Sequence, residues 1–390
     1  MCVSERYDSN VFYTPPTQGL QRDDFVTRVN PMLEVNHNGD HASGVLNVGG
    51  FSETYAKNSN LNYLGTRDSL FLNLDNSIKR LLPNAGLIVT DTFSYTPLPP
   101  GFVNPVAGTS PSDPGNIQNI YAQGLQSFRT NNLTNNLTVS TTYATTASTS
   151  LNASYNYAIL RFGSFTPTQQ SDNLFDTTNQ TGTVGGTARL SGLDILNVKY
   201  AHTQTDRTPS SPSTSTPSSS FIIDSATIGW SRTLTSNLSA ELGGGGILIS
   251  PGITTYAANA ALIMNSLNNS ATISYARSAF PNFTSVGGTG GGTDGGILIG
   301  DVFSLFAIQR IDRQWQLAEV ANYAHTSGGS GLNSLTYNSF VAGGDIQYWV
   351  TSIWSTALSY SYTKFTQEFE SVKTDYDRHI IVLSVRATWE

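Results

Sequence analysis

The chain reads as all-β: a transmembrane, antiparallel, up-and-down β-barrel of about 18 strands (16–18) with short periplasmic turns and long extracellular loops. Three observations carry this reading. Apolar and polar residues alternate with a period of two, most cleanly at the end of the chain. There Ile381, Leu383, Val385, Ala387 and Trp389 share one face, and Ser384, Arg386, Thr388 and Glu390 the other. Such a period puts successive side chains on opposite faces of a strand. Short and long connections take turns along the chain, as when one barrel rim carries tight turns and the other carries loops. Finally, no segment approaches the roughly 20 apolar residues of a membrane helix, and Ala260 to Met264 is about the longest apolar run. Lipid cannot satisfy free backbone groups, so a spanning chain without helices has to close into a barrel.

The elements follow in order. A strand pattern begins by Glu5, and a long connection follows at Thr14–Arg22. Phe25, Val29, Pro31, Leu33 and Val35 then share one face, while Arg28, Asn30, Glu34 and Asn36 share the other. Pro31 has no N–H for a ladder, which predicts a bulge or a locally open pairing. A tight turn is expected at His37–Asp40, a longer connection at Lys57–Asn62, and the next tight turn at Leu82–Ala85. Between the last two, Leu70, Leu72 and Leu74 oppose Phe71, Asn73 and Asp75. The longest connection is Thr96–Gln126, rich in Pro and Gly and ending in an apolar patch at Ile117, Ile120, Tyr121 and Leu125. Pro and Gly keep it from extending the strands, and its apolar patch is expected to fold over the lumen and narrow it; the alternative is a loop splayed into solvent.

Leu137, Val139, Thr141 and Tyr143 oppose Asn136, Thr138, Ser140 and Thr142. From there short turns at Thr145–Thr149, Ser191–Asp194, Thr235–Asn237, Leu267–Asn269, Asp312–Gln314 and Val350–Ser352 alternate with longer connections at Ser164–Thr181, Thr208–Ser220, Ala279–Gly296, Ser327–Ser334 and Thr366–Asp375. The tight Ser250–Ile253 occupies a slot where a long loop is expected. Gly243–Gly246 suggests a bulge. Ile88–Tyr95 and Trp315–Tyr323 do not phase cleanly, which predicts a bulge or a displaced boundary in each. Tyr155, Tyr157, Tyr275, Tyr360 and Tyr362 recur a few residues above the short turns, as an interfacial girdle would require.

Composition bounds the rest. Of 390 residues, 12% are charged and 38% hydrophobic, so the missing charge is replaced by Ser, Thr, Asn and Gly rather than by a larger core. An aromatic share of 11% argues against a disordered polar chain. A net charge of −7, with no basic run, argues against a nucleic-acid partner. The single cysteine, Cys2, cannot form an internal disulfide. Met1 to Glu5 lacks the basic and apolar stretches of a leader, and the expectation is an exported barrel in the bacterial outer membrane whose leader is missing from this sequence. The whole of 1–390 is read as one barrel domain.

Arg28, Glu34, Asp75, Lys199, Glu241, Asp345 and Arg386 share parity with polar neighbours, so they are expected to point into the lumen as candidate pore lining. Mixed signs predict weak ion selectivity; the alternative is that several pair with one another as wall supports. No Gly-Lys-Ser/Thr phosphate loop and no Gly-x-Ser-x-Gly elbow is present, and the five histidines are scattered apart from His37 and His41. No catalytic residues, no metal and no cofactor are expected.

The opening, Arg6-Tyr7-Asp8-Ser9-Asn10-Val11-Phe12, then Asp23 and Asp24, then Val29-Asn30-Pro31-Met32-Leu33, resembles the start of the β-barrel porin 2 family and of outer-membrane proteins found with exosortase and exopolysaccharide loci. The resemblance continues through Asn58-Ser59-Asn60-Leu61-Asn62 and Leu70 to the C-terminal strands. It implies an outer-membrane barrel, a setting among polysaccharide-export machinery and no catalytic residues. One departure is that Glu390 follows the expected terminal aromatic, Trp389. The expected function is a porin-like channel for small solutes or a secreted polysaccharide chain, in contact with outer-membrane lipid. The alternative is a structural or adhesin-like barrel with a plugged lumen whose loops bind a partner. Oligomeric state is left open.

Overall fold

The computed structural model describes residues 1–12, 21–96, 131–162, 175–209, 218–250, 252–281, 297–328, 336–369 and 372–389. Its strands are β1 (Cys2–Asp8), β2 (Asp24–Asn30), β3 (Met32–Asn38), β4 (Ser43–Tyr55), β5 (Tyr63–Asn73), β6 (Ala85–Thr96), β7 (Asn132–Ala144), β8 (Thr149–Phe162), β9 (Phe175–Arg189), β10 (Asp194–Pro209), β11 (Ser219–Thr235), β12 (Leu238–Ile249), β13 (Ile253–Asn265), β14 (Asn269–Pro281), β15 (Ile297–Arg310), β16 (Trp315–Gly328), β17 (Thr336–Trp349), β18 (Trp354–Phe369) and β19 (Val372–Ala387). A one-turn helix, α1 (Asp75–Ile78), sits between β5 and β6. All strands hydrogen-bond into one antiparallel sheet, and β1 pairs with both β2 and β19, which closes it.

β2 and β3 are two halves of one strand, so the 19 elements make an 18-stranded barrel. Both halves pair with β4 in one register, with Val29 opposite Ser52 and Met32 opposite Gly49. Pro31 opens the ladder between them without inserting a residue, and its carbonyl still accepts the Gly50 N–H at 3.2 Å. Of the two outcomes its position predicted, local opening is the one found.

Several boundaries differ from the sequence reading. The turn placed at Leu82–Ala85 belongs to a longer connection, because β5 stops at Asn73. There the Asn73 side chain accepts the Asp75 N–H, and the Asp75 carboxylate accepts the Leu87 N–H, both bending the chain out of the sheet into α1. The long connection placed at Thr366–Asp375 is mostly paired strand, with Phe369 opposite Val372. Likewise β9 begins at Phe175, inside the segment read as the loop Ser164–Thr181. These polar runs lie near the long-loop rim, where neither face must be apolar, so hydrophobic alternation has nothing to mark them. Gly243–Gly246 carries no bulge; pairing runs through it on both sides, and the irregularity falls between Thr233 and Thr235. A Cβ at Gly245 would overlap the Ala226 carbonyl oxygen, so close backbone approach is what the glycines serve. The expectation for Thr96–Gln126 falls almost wholly on 97–130, outside the described residues.

The two segments that would not phase, Ile88–Tyr95 and Trp315–Tyr323, pair without a break. Their difficulty is chemical. On the outer face β16 runs Trp315, Leu317, Glu319, Ala321, Tyr323, while Ala318 and Val320 occupy the inner face. In β6 the outer row Leu87, Val89, Asp91, Phe93 likewise includes a carboxylate, which accepts from Asn135 Nδ2 at 2.9 Å. Each strand has a carboxylate on the outer face and an apolar residue on the inner one, against simple alternation.

The outer face is lipid-like. Leu242, Leu248, Leu262, Ile273, Leu358 and Leu383 are each roughly half exposed there. Trp315 against Tyr348 and Trp354 against Trp389 mark its short-turn edge, with ring centroids 4.6 and 6.3 Å apart. Its long-loop edge is built on one diagonal motif repeated five times. A tyrosine hydroxyl on a strand rising from the short-turn rim bonds a polar side chain on the next strand, two residues above the position opposite. The pairs are Tyr155–Gln180, Tyr200–Asp224, Tyr275–Asp301, Tyr323–Asn338 and Tyr360–His379. An apolar ring below and a polar handle above suit the boundary between hydrocarbon and headgroups.

Candidate functional site

With the outer face committed to lipid, the inner wall is the candidate site. Its two halves differ in packing. Toward the long loops the inward side chains are buried: Val26, Glu53, Tyr55, Ile249, Tyr337 and Phe365 are each at most 3% exposed. Phe365 stacks between Tyr337 and Tyr376, with centroids 6.0 and 5.3 Å away. A second cluster gathers Ile223, Ile247, Ile249, Ala257 and Ala279. Toward the short turns most inward side chains are half-buried or exposed, and many are polar, as at Ser140, Thr142, Gln347, Ser384 and Arg386, with apolar ones such as Phe306 and Val320 among them. On β8–β13, Asn152, Asn197 and Asn259 lie across the cross-strand glycines Gly185, Gly229 and Gly243, so each amide lies along the wall. A hollow of about 240 Å³ indents the wall of β15–β19, lined by Phe306, Val320, Asp345, Ser359, Ser361 and Val382.

Charge concentrates on the inner side of β1–β5 and β19. Arg6 donates both terminal nitrogens to Glu53, at 3.2 and 2.9 Å, and the Tyr55 hydroxyl donates to the same carboxylate at 2.8 Å. Arg28 Nη1 stands 3.6 Å from Glu53, and its guanidinium lies 4.2 Å above the Phe51 ring. Arg378 forks onto Asp8, with Nε at 2.8 Å from Oδ1. Glu53 and Asp8 are at most 1% exposed, and a carboxylate so buried persists charged only when several donors meet it. The network crosses the closing seam, since Asp8 belongs to the first strand and Arg378 to the last. At the long-loop rim, Lys57 binds Asp23 at 2.5 Å, a hydrogen bond that holds the Asp23 carboxyl below its usual range; Asp24 accepts the Lys57 and Asn58 N–H groups.

The seven residues expected to line a pore are dispersed. Arg28 belongs to the seam network just described. Glu34, on β3, accepts from Asn36 at 2.8 Å. Asp75 lies off the wall, at the start of α1, with its carboxylate over the inner face of Gly86 and Thr142. Lys199, Glu241 and Asp345 sit in strands at half-buried positions opposite Thr227, Ser231 and Ser359. Arg386 is exposed near the short-turn end of β19, opposite Ser355 and Cys2. Asp345 and Arg386 are near enough to act on each other electrostatically. Sequence reasoning missed Arg6, Asp8, Glu53, Arg67 and Arg378. The signal was present for Arg6 and Asp8, which alternate with Tyr7 on the opening strand, but nothing local marks their partners 47 and 370 residues away. Among the described residues no three His, Cys, Asp or Glu side chains converge as a metal site.

A closed 18-stranded barrel with an apolar outer belt between aromatic edges and a polar, charged interior defines a β-barrel of the outer-membrane type. No protein-family model matches the chain, and no curated protein matches it in sequence. Three solved structures are similar to it at low identity. A variant of the ferric enterobactin receptor PfeA from Pseudomonas aeruginosa is similar with a TM-score of 0.48 at 10% identity, over 100% of this chain and 80% of that one. The siderophore receptor PirA from Pseudomonas aeruginosa is similar with a TM-score of 0.46 at 10% identity, over 100% and 80%. OccK5 (OpdH) from Pseudomonas aeruginosa gives 0.46 at 10% identity, over 100% and 97%.

Proposed function

We propose that the protein is an outer-membrane channel that passes small polar solutes. One observation carries this reading: the interior of a closed 18-stranded barrel bears polar groups and charges of both signs, and its inward side chains on the half nearer the short turns are mostly half-buried or exposed. A barrel of this strand number encloses an aqueous channel unless something fills it. In this reading Arg28, Glu34, Lys199, Glu241, Asp345 and Arg386 line the path, with Asp75 at its short-turn mouth. Their mixed signs favour weak selectivity. The resemblance of the opening segment extends the candidate cargo to a secreted polysaccharide chain.

The burial of inward side chains near the long loops favours a second reading, a barrel plugged in that half that serves as a scaffold for loop-mediated binding. Planar-bilayer recording separates the two. Discrete conductance steps with a small reversal potential under a potassium chloride gradient are the expected result. A protein that inserts but stays silent would overturn the channel reading in favour of the scaffold.

A further inference from the structure

On the inner wall of β1–β5 the guanidiniums Arg6, Arg28 and Arg67 share the surface with the carboxylates Asp8, Asp24, Glu34 and Glu53, and Glu34 accepts from Asn36. Glu53 serves Arg6 at 2.9 Å and Arg28 at 3.6 Å, and Asp8 is engaged by Arg378 with Arg6 at 3.8 Å. Asp24, the other carboxylate buried here, spends both oxygens on Lys57 and Asn58 N–H groups. Arg67 has no carboxylate partner among the described residues; it is exposed on the inner face, near enough to Arg28 for the two like charges to interact.

The surroundings hold one of these cations in place. Gly65 lets the Phe51 ring lie flat on the β5 backbone, since a Cβ there would come within 2.5 Å of the ring. Tyr63 meets the same ring edge-on at 5.7 Å. Phe51, 5% exposed, in turn supports Arg28 at 4.2 Å. Directly opposite Arg67 lie Gly49, which has no side chain to fill the space, and Ser94; on the same face Ser69 accepts from Asn47. The result is a fixed guanidinium and an exposed one with no carboxylate partner among the described residues, with hydroxyls and the Met32 side chain beside them, where buried inward side chains give way to partly exposed ones.

We propose that Arg28 and Arg67 form an anion-binding subsite in the lumen for a small solute bearing a carboxylate or phosphate group. Guanidinium recognises the oxygens of both by paired N–H donors, and a second cation within reach lets the anion be shared. The proposal deepens the channel reading above, naming a class of solute.

The test uses the full chain in planar bilayers, with succinate and inorganic phosphate as separate probes added to potassium chloride. One or both should block the current, and Arg67→Ala should weaken that block roughly fivefold. Arg67→Lys should keep part of it, because a point charge remains without the fork. Arg232→Ala, on the outer face, should change nothing. Calorimetric titration of the same anions into detergent-solubilised protein supplies a readout that needs no conduction. A silent barrel that still binds the anions, and binds them more weakly after Arg67→Ala, overturns the channel and leaves the subsite standing. A conducting barrel whose block and binding are unmoved by Arg67→Ala overturns the subsite and leaves the channel.

Discussion

The half of the interior nearer the long loops and the half nearer the short turns are built on the same strands but obey different rules. Near the long loops many inward side chains are buried, large and small alike, and Asp8, Glu53, Arg6 and Arg378 are tied together by directed bonds. Near the short turns many are polar and most are half-buried or exposed, among them the charged Asp345 and Arg386. Strand pairing gives the barrel its shape in both halves. Side-chain packing across the interior adds specific stability only in one. Mutations should therefore separate a structural half from a permissive half.

The largest contrast is expected between Glu53 and Asp345. Glu53→Ala strips the half-buried Arg6 and the buried Tyr55 hydroxyl of their shared acceptor and should cost about 3 kcal/mol. Asp345→Ala should stay within about 0.5 kcal/mol while altering conductance. Urea unfolding in lipid vesicles reads both, and equal losses would break the distinction between halves. The next largest is a pair of neighbouring glycines. Gly245→Ala forces a Cβ onto the Ala226 carbonyl and should cost about 2 kcal/mol, whereas Gly246→Ala, with open space at the corresponding point, should be close to neutral.

A third prediction turns from inside to outside. Glu319 stands four residues from Trp315 and four from Tyr323 on one outer row, among Leu317, Ala321, Ala307 and Gly344. A lipid-facing carboxylate at that depth is unfavourable, so Glu319→Leu should stabilise the barrel in bilayers by about 1 kcal/mol. An unchanged or lowered midpoint would show that this face meets something other than lipid. The smallest effect concerns the long-loop rim. The hydrogen bond from Lys57 lowers the Asp23 carboxyl below its ordinary value of 3.8. A depressed carboxylate adds stability that is fully present above its unfolded value and is lost as pH falls through the folded one. The melting temperature should therefore drop slightly more between pH 5 and pH 3, a range of about two units around that value, in the native protein than in Lys57→Ala.

Period-two alternation was enough to read the strands that face lipid. It worked for Leu137 to Tyr143 and for Trp354 to Tyr362 because one side of those strands meets hydrocarbon and the other does not. It faltered at Trp315–Tyr323 and Ile88–Tyr95, where Glu319 and Asp91 occupy outer positions, and at Phe175–Thr181, where both faces are polar. Pro31 was legible because a missing N–H is a local fact. The seam network was not legible, since Arg378 and Asp8 meet only when the first and last strands pair.

The sequence by itself therefore determined the class of fold, the approximate number of strands, the alternation of rims and which face of each clear strand avoids water, all of which follow from chemistry repeated every second residue. Tertiary structure alone decided which charges share a carboxylate, that Asp75 leaves the wall for a rim helix, and that inward side chains are buried on one half and partly exposed on the other. Those outcomes depend on register summed around the closed ring and on side chains meeting across it, and such distances are set by closure.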